Sequence, residues 1–123
     1  MRNRRGTNWK LESAPWAVGI ARRKIAAQLG EWGYRPDQVA LDAVTGLLVA
    51  AAVTDSGRRI SVHLSDQDRQ ACILVLSHQA ALTPGQAPDG DDVLHQITAV
   101  AGVTGCGTDT GPDGRRTWAV ISL

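Results

Sequence analysis

Glutamate and asparagine are almost missing from this chain. Its 123 residues include two of each, Glu12 and Glu31, Asn3 and Asn8, all within the first 31 positions. Any chemistry that needs either side chain in the middle of the chain is excluded. An excess of charge is missing too. Thirteen Lys and Arg against twelve Asp and Glu leave a formal net charge of +1, which gives no overall electrostatic case for a nucleic acid partner. Cysteine is limited to Cys72 and Cys106. They allow one disulfide, but a chain without an export signal more often keeps both thiols reduced. No stretch approaches the ~18 consecutive apolar residues of a membrane-spanning helix. The apolar segment 39–53 is interrupted by Asp42, Thr45 and Gly46. The basic start MRNRRGTN leads into no apolar run of secretory type. The expectation is a cytoplasmic protein with no membrane association.

What is present suffices for a single folded domain. The length fits one unit of roughly 100–200 residues, and 43% hydrophobic residues can build a core without a disulfide or metal staple. Residues 1–7 read as a flexible basic tail and 8–123 as one α/β sandwich domain. Trp9 and Leu11 alternate with polar neighbours, as in a short half-buried strand. Ser13 and Pro15 signal a helix start, with Ser13 as N-cap. Val18, Ala21, Ile25, Leu29 and Trp32 follow at helical spacing, and Gly33 ends the run. A second helix starts at Arg35–Pro36–Asp37 and carries the stripe Ala40, Val44, Leu47, Leu48 and Ala51. It is apolar nearly all round, so protein should cover both sides.

Ile60, Val62 and Leu64 alternate with Arg59, Ser61 and His63, which predicts a strand with one wet face. Residues 65–68 read as its hairpin turn, and CILVL over 72–76 as a central strand. The segment 83–92 reads as a Pro/Gly/Asp loop. Val93, Leu94, Ile97, Val100 and Ala101 form a third helical stripe. A short strand from Val103, a Gly/Asp turn over 105–114 and a strand over 117–123 complete the order. This order predicts a two-layer α/β sandwich, with a mixed, mostly antiparallel sheet and three helices on one face.

Four stretches resemble a known family. They are ARRKIAAQLGEWG at 21–33, LDAVTGLLVAAAVTDSG at 41–57, the hairpin ISVHLSDQDRQACILVLS, and the pair ITAVAGV at 97–103 and GRRTWAV at 114–120. In this order they resemble the histidine-kinase-like ATPases of the GHKL or Bergerat fold, and most closely the small bacterial anti-sigma-factor serine kinases. The closing strand is similar to that family's Gly-Lys-x-x-Trp ending. The resemblance implies a Bergerat-like sandwich with a nucleotide site.

The residues at that implied site depart from the family. Active members carry a Glu base on the second helix and, four residues on, an Asn for magnesium. Residues at i and i+4 share one helix face, so both can reach a phosphate-bound cation. The matching positions here are Gly46 and Ala50, and the missing Glu and Asn cannot be recovered by any realignment. The adenine-binding Asp corresponds to Ser77, or to His78 with a one-residue slip. The phosphate-binding Gly-x-Gly loop corresponds to Gly90-Asp91-Asp92-Val93, where two carboxylates would repel phosphate and instead suit the helix N-terminus.

The resemblance with these losses implies a non-catalytic regulatory protein, a pseudo-kinase that needs no cofactor and acts by binding another protein. The implied partners are a sigma factor, a STAS-type antagonist or a related kinase-fold protein, the last including a homodimer. Arg22, Arg23 and Lys24 on the first helix are the candidate partner-binding residues, though a solvated helix face is the plainer account of such a charge run. The alternatives are a small-molecule binder using a remodelled pocket lined by Gly46, Ala50, Ser77, Asp91, Asp92 and Val93, or a divergent ATP-binding serine kinase.

Other constellations are weaker. His63, His78, His95, Cys72 and Cys106 show no zinc-type spacing, so no metal is expected. Thr104–Thr108 is glycine-rich but lacks the Lys-Ser/Thr and helix of a phosphate-binding loop. Asp89, Asp91 and Asp92 lack the rest of a calcium loop. Ser77–His78 has no nucleophile elbow around it. Gly46 and Ala50 make a small-residue step, where close packing is the expected outcome.

Overall fold

A computed structural model describes residues 5–54, 58–78, 91–111 and 114–123. The element order is β1 (Arg5–Glu12), α1 (Ala17–Glu31), α2 (Gln38–Thr54), β2 (Arg59–Gln67), β3 (Gln70–His78), α3 (Asp91–Thr98), β4 (Val103–Gly111) and β5 (Gly114–Ser122). None of the described helices is long and apolar enough to cross a membrane.

The five strands form one sheet in the order β1-β2-β3-β5-β4. Every neighbouring pair is antiparallel, which corrects the expectation of a mixed sheet. The reason is topological. The chain leaves β3, passes through α3 and enters β4 beyond the place of β5; the β4–β5 hairpin then turns β5 back beside β3. β3 and β4, which run in the same sense and are joined through α3, are therefore not neighbours.

Strand limits also differ from the pattern. β1 begins at Arg5, and Gly6 and Thr7 pair with Ser65 and Leu64, so residues 5–7 belong to the sheet rather than to a tail. Ser13 is not the cap of α1. Its amide donates to the Arg58 carbonyl at 3.1 Å, prolonging the β1–β2 pairing, and α1 starts only at Ala17 with Trp16 at the cap position and no side-chain cap bond. The β2–β3 turn is not 65–68. It is the two-residue loop Asp68–Arg69, both with positive φ of 54° and 61°, the pattern of a type I′ hairpin. Residues 105–111, expected as a turn, are the body of β4.

The helix ends follow ordinary chemistry. Gly33, at φ 91°, closes α1; its amide donates to Gly30 and that of Tyr34 to Leu29, at 3.0 and 2.9 Å. That is a Schellman motif, which needs a left-handed residue at the position glycine occupies. Asp37 Oδ1 accepts from the amides of Val39 and Ala40 at 3.0 and 3.3 Å and so caps α2.

Direct partners in an antiparallel ladder share a face, so the register sorts the sheet into rows. One face carries Trp9–Val62–Val75–Thr117–Thr108 and, beside it, Leu64–Ile73–Ala119–Cys106. Its apolar residues join Ala21, Ile25 and Leu29 of α1, Leu41, Val44, Leu48 and Val49 of α2, and Ile97 of α3 in one core. Burying each Ile, Leu or Val there contributes about 1.5–3 kcal/mol. α1 buries Ala21, Ile25 and Leu29 of the expected stripe, whereas α2 buries Leu41, Thr45, Val49 and Ala52 in place of Ala40, Leu47 and Ala51. A helix apolar on every side has no periodicity to say which side faces in.

The opposite face carries Lys10–Ser61–Leu76–Arg116–Asp109, Asn8–His63–Leu74–Trp118–Gly107 and Glu12–Arg59–His78–Gly114–Gly111. Most of its side chains are half-buried or exposed. Cys72 belongs to this face and Cys106 to the core face, on strands separated by β5. No disulfide joins them.

Candidate functional site

The candidate side chains fall in two regions: the core side of the sheet near α2, where the sequence points, and the open face at the ends of β1, β2 and β3.

On α2, Gly46 is half-buried and Ala50 is exposed. The space above Gly46 is filled. The Arg22 side chain of α1 lies across it, so that a Cβ added at Gly46 would meet Arg22 Nη2 at 2.5 Å. Arg22 Nε donates to the Asp42 carbonyl of α2 at 3.0 Å, fixing the side chain along the helix. The small-residue step is thus closely packed, at least at Gly46. Arg22 has a packing role that its neighbours Arg23 and Lys24, both exposed, do not share.

Ser77 lies on the core face of β3 and is fully buried. Its Oγ donates to the Arg115 carbonyl at 3.4 Å. The Arg115 side chain, 7% exposed, belongs to the same face directly opposite Ser77. Val93, on α3, is half-buried and packs against the core. Asp91 and Asp92 are the first two residues of α3; their side chains, like the loop residues 83–90, lie outside the described residues.

The open face holds a second cluster. His78 Nε2 and Ser61 Oγ are hydrogen-bonded at 2.6 Å, with Ser61 only 5% exposed. Beside them is a cavity of about 460 Å³ lined by Lys10, Arg58, Arg59 and His78. Among the described residues, no carboxylate lines it. Glu12 shares the face, opposite Arg59. His63, two residues from Ser61, has its pKa lowered from the usual 6.5, first by burial and then by repulsion from a charged His78. Farther along the face, Arg116 donates to Asp109 at 2.6 Å.

No protein-family model matches this chain, and no curated protein matches it either.

The arrangement explains one sequence reading and adds another. Ser77 and His78 cannot act together, because consecutive strand residues point to opposite faces. His78 instead takes the serine two strand positions beyond its own partner: His78 pairs with Arg59, and Ser61 is the next residue on that side of β2. Alternation predicts the wet face of β2, but nothing in the sequence states which β3 residue meets it. Nor does it state that Lys10 of β1 pairs directly with Ser61 of β2. These residues were missed for that reason. Among the described residues, no three His, Cys, Asp or Glu side chains gather as a metal ion would require.

Proposed function

We propose that this chain is a non-catalytic regulatory protein that acts by binding another protein, on a sandwich of the Bergerat kind with its three helices on one face. In this reading the Gly46–Ala50 side of α2 is the former nucleotide side. The observation that carries it is Arg22 lying over Gly46. Where an active relative would present a carboxylate base to water, this chain has no side chain and a guanidinium from the next helix in its place. Phosphoryl transfer depends on positioning and on neutralising phosphate charge through a bound metal, and an i, i+4 pair of glycine and alanine supplies neither group.

The partner of this reading is a sigma factor, a STAS-type antagonist or a related kinase-fold protein, held at exposed Arg23 and Lys24. Two calorimetric titrations test it. ATP with magnesium is expected to give no magnesium-dependent binding; a micromolar, magnesium-dependent site would overturn the reading. Sigma factors and STAS-type proteins encoded by the same genome are then titrated in turn. One is expected to bind, and Arg23→Glu with Lys24→Glu is expected to weaken it at least tenfold, about 1.4 kcal/mol. Binding by none of them would count equally against it.

A further inference from the structure

We infer that the open face of the sheet holds a binding site for the phosphate group of a small organic phosphomonoester, at Lys10, Arg58, Arg59 and His78. This site is on the other side of the sheet from the region discussed above and does not depend on it. Three observations support it.

The first is convergence. Lys10 comes from β1, Arg59 and His78 from adjacent ends of β2 and β3, and Arg58 from the bend before β2, yet all four line one cavity. Arg58 is not on a free loop, because its carbonyl accepts the Ser13 amide.

The second is charge without compensation. Lys10, Arg58 and Arg59 make no ion pair among the described residues, while Arg116 on the same face is neutralised by Asp109. Among the described residues, Glu12 is the one carboxylate beside them in the register, against three fixed cations. Gathering like charges is unfavourable unless an anion answers them. A phosphomonoester carries about −1.5 to −2 charges at neutral pH and three acceptor oxygens. Two guanidinium forks, an ammonium group and a ring nitrogen match it better than they match a carboxylate, which one fork already saturates.

The third is size and lining. The cavity of about 460 Å³ lies in the ~300–1,000 Å³ range of small-molecule sites and is far larger than a phosphate group needs. The half-buried Leu76 and Leu74 continue from His78 along the same side of β3, toward Trp118. They offer an apolar bed for the organic body. Ser61 is a positioning residue: its 2.6 Å hydrogen bond holds the imidazole at the edge of the cavity.

Titration with phenyl phosphate, inorganic phosphate and phenol, read by calorimetry and by tryptophan fluorescence, tests the proposal. Phenyl phosphate is expected to bind saturably and at least about tenfold more tightly than inorganic phosphate, roughly one apolar group's burial, and phenol not at all. Arg58→Gln with Arg59→Gln is expected to weaken phenyl phosphate at least about thirtyfold, the scale of one lost charge-assisted contact. Both side chains are exposed, so the fold should survive, which circular dichroism checks. Ser61→Ala is expected to weaken binding about threefold, less than one full neutral hydrogen bond. No saturable binding at millimolar phenyl phosphate would overturn the site, as would binding unchanged in the double variant. The same double variant separates this site from the ATP titration above: binding that it abolishes belongs to the open face, and magnesium-dependent binding that it retains belongs to the side of α2.

Discussion

The two faces of this sheet are built from the same strands, residue by residue in alternation, and they are opposites. Ile73 and Leu74 are neighbours in β3, but Ile73 is fully buried in the common core and Leu74 is half-buried on the open face. On the core face the cross-strand rows are largely aliphatic, and the polar members that intrude are tied down: Ser77 by the Arg115 carbonyl, Asp66 by the Tyr34 hydroxyl at 2.7 Å. On the open face the rows mix leucines and a tryptophan with His63, His78, Lys10 and Arg59. One face is shaped by the need to exclude water. The other keeps polar groups at the surface, where they remain available to bind.

The largest expected effect tests that contrast directly. Ile73→Ala should destabilise the protein by about 2–5 kcal/mol, the range for emptying a closed core site. Leu74→Ala, one residue along, should cost about 1 kcal/mol, since much of its surface already meets solvent. Urea unfolding of both variants measures the difference. Equal costs would mean that the open face is covered after all, and the comparison would fall.

A smaller effect is expected from the middle of the open face. The Trp118 indole lies over Gly107, its partner across the β4–β5 ladder, so closely that an added Cβ would collide with the ring. Gly107→Ala should cost about 1–3 kcal/mol, as overpacking does, and should shift the Trp118 emission as the ring moves away. An unchanged spectrum and midpoint would show that the ring is free to swing. The contact would then have no part in shaping that face.

The smallest effect is in pH. His63 has a lowered pKa because burial, and then the neighbouring His78, disfavour its charged form. Its unfolded chain therefore takes up a proton first. The stabilisation from neutral His63 is complete above the usual value of 6.5, and is lost as the pH falls through that value and on through the lowered folded one. Urea midpoints should drop on acidification from about pH 7.5 to 5.5, and drop less in His63→Gln. Parallel curves for the two proteins would remove His63 from the account.

Much of the core face was legible in the sequence, and little of the open face. The spacing Ala21–Ile25–Leu29, the stop at Gly33 and the alternation Ile60–Val62–Leu64 are local signals, and each corresponds to an observed element. The errors arose where a long-range partner overrode a local cue. Ser13 reads as a cap until its amide is seen to be taken by Arg58. Gly105–Gly111 reads as a turn because glycine is a weak strand former, yet β5 alongside makes it a strand, with Trp118 seated on Gly107. Asp68–Arg69 lacks the glycine that usually marks a type I′ turn, so the polar run 65–68 reads as the turn, two residues early. Arg22 reads as a surface cation because the sequence does not say that Gly46 leaves room for it. The pair Ser61–His78 depends on the β2–β3 register, which that unusual turn sets.

The irregularity in β4 gives the chain a reserve of length. The ladder steps from Val103 opposite Ile121 to Gly105 opposite Val120, leaving Thr104 as an extra residue. A bulge of this kind absorbs one residue without exchanging the faces of the strand that follows. One residue can thus be lost from the start of β4 while Cys106 stays on the core side and Gly107 stays beneath Trp118. The same loss within β3, which pairs without interruption on both sides, would turn Ile73 outward and Leu74 inward. The edge strand can tolerate a change in length, and the central strand cannot.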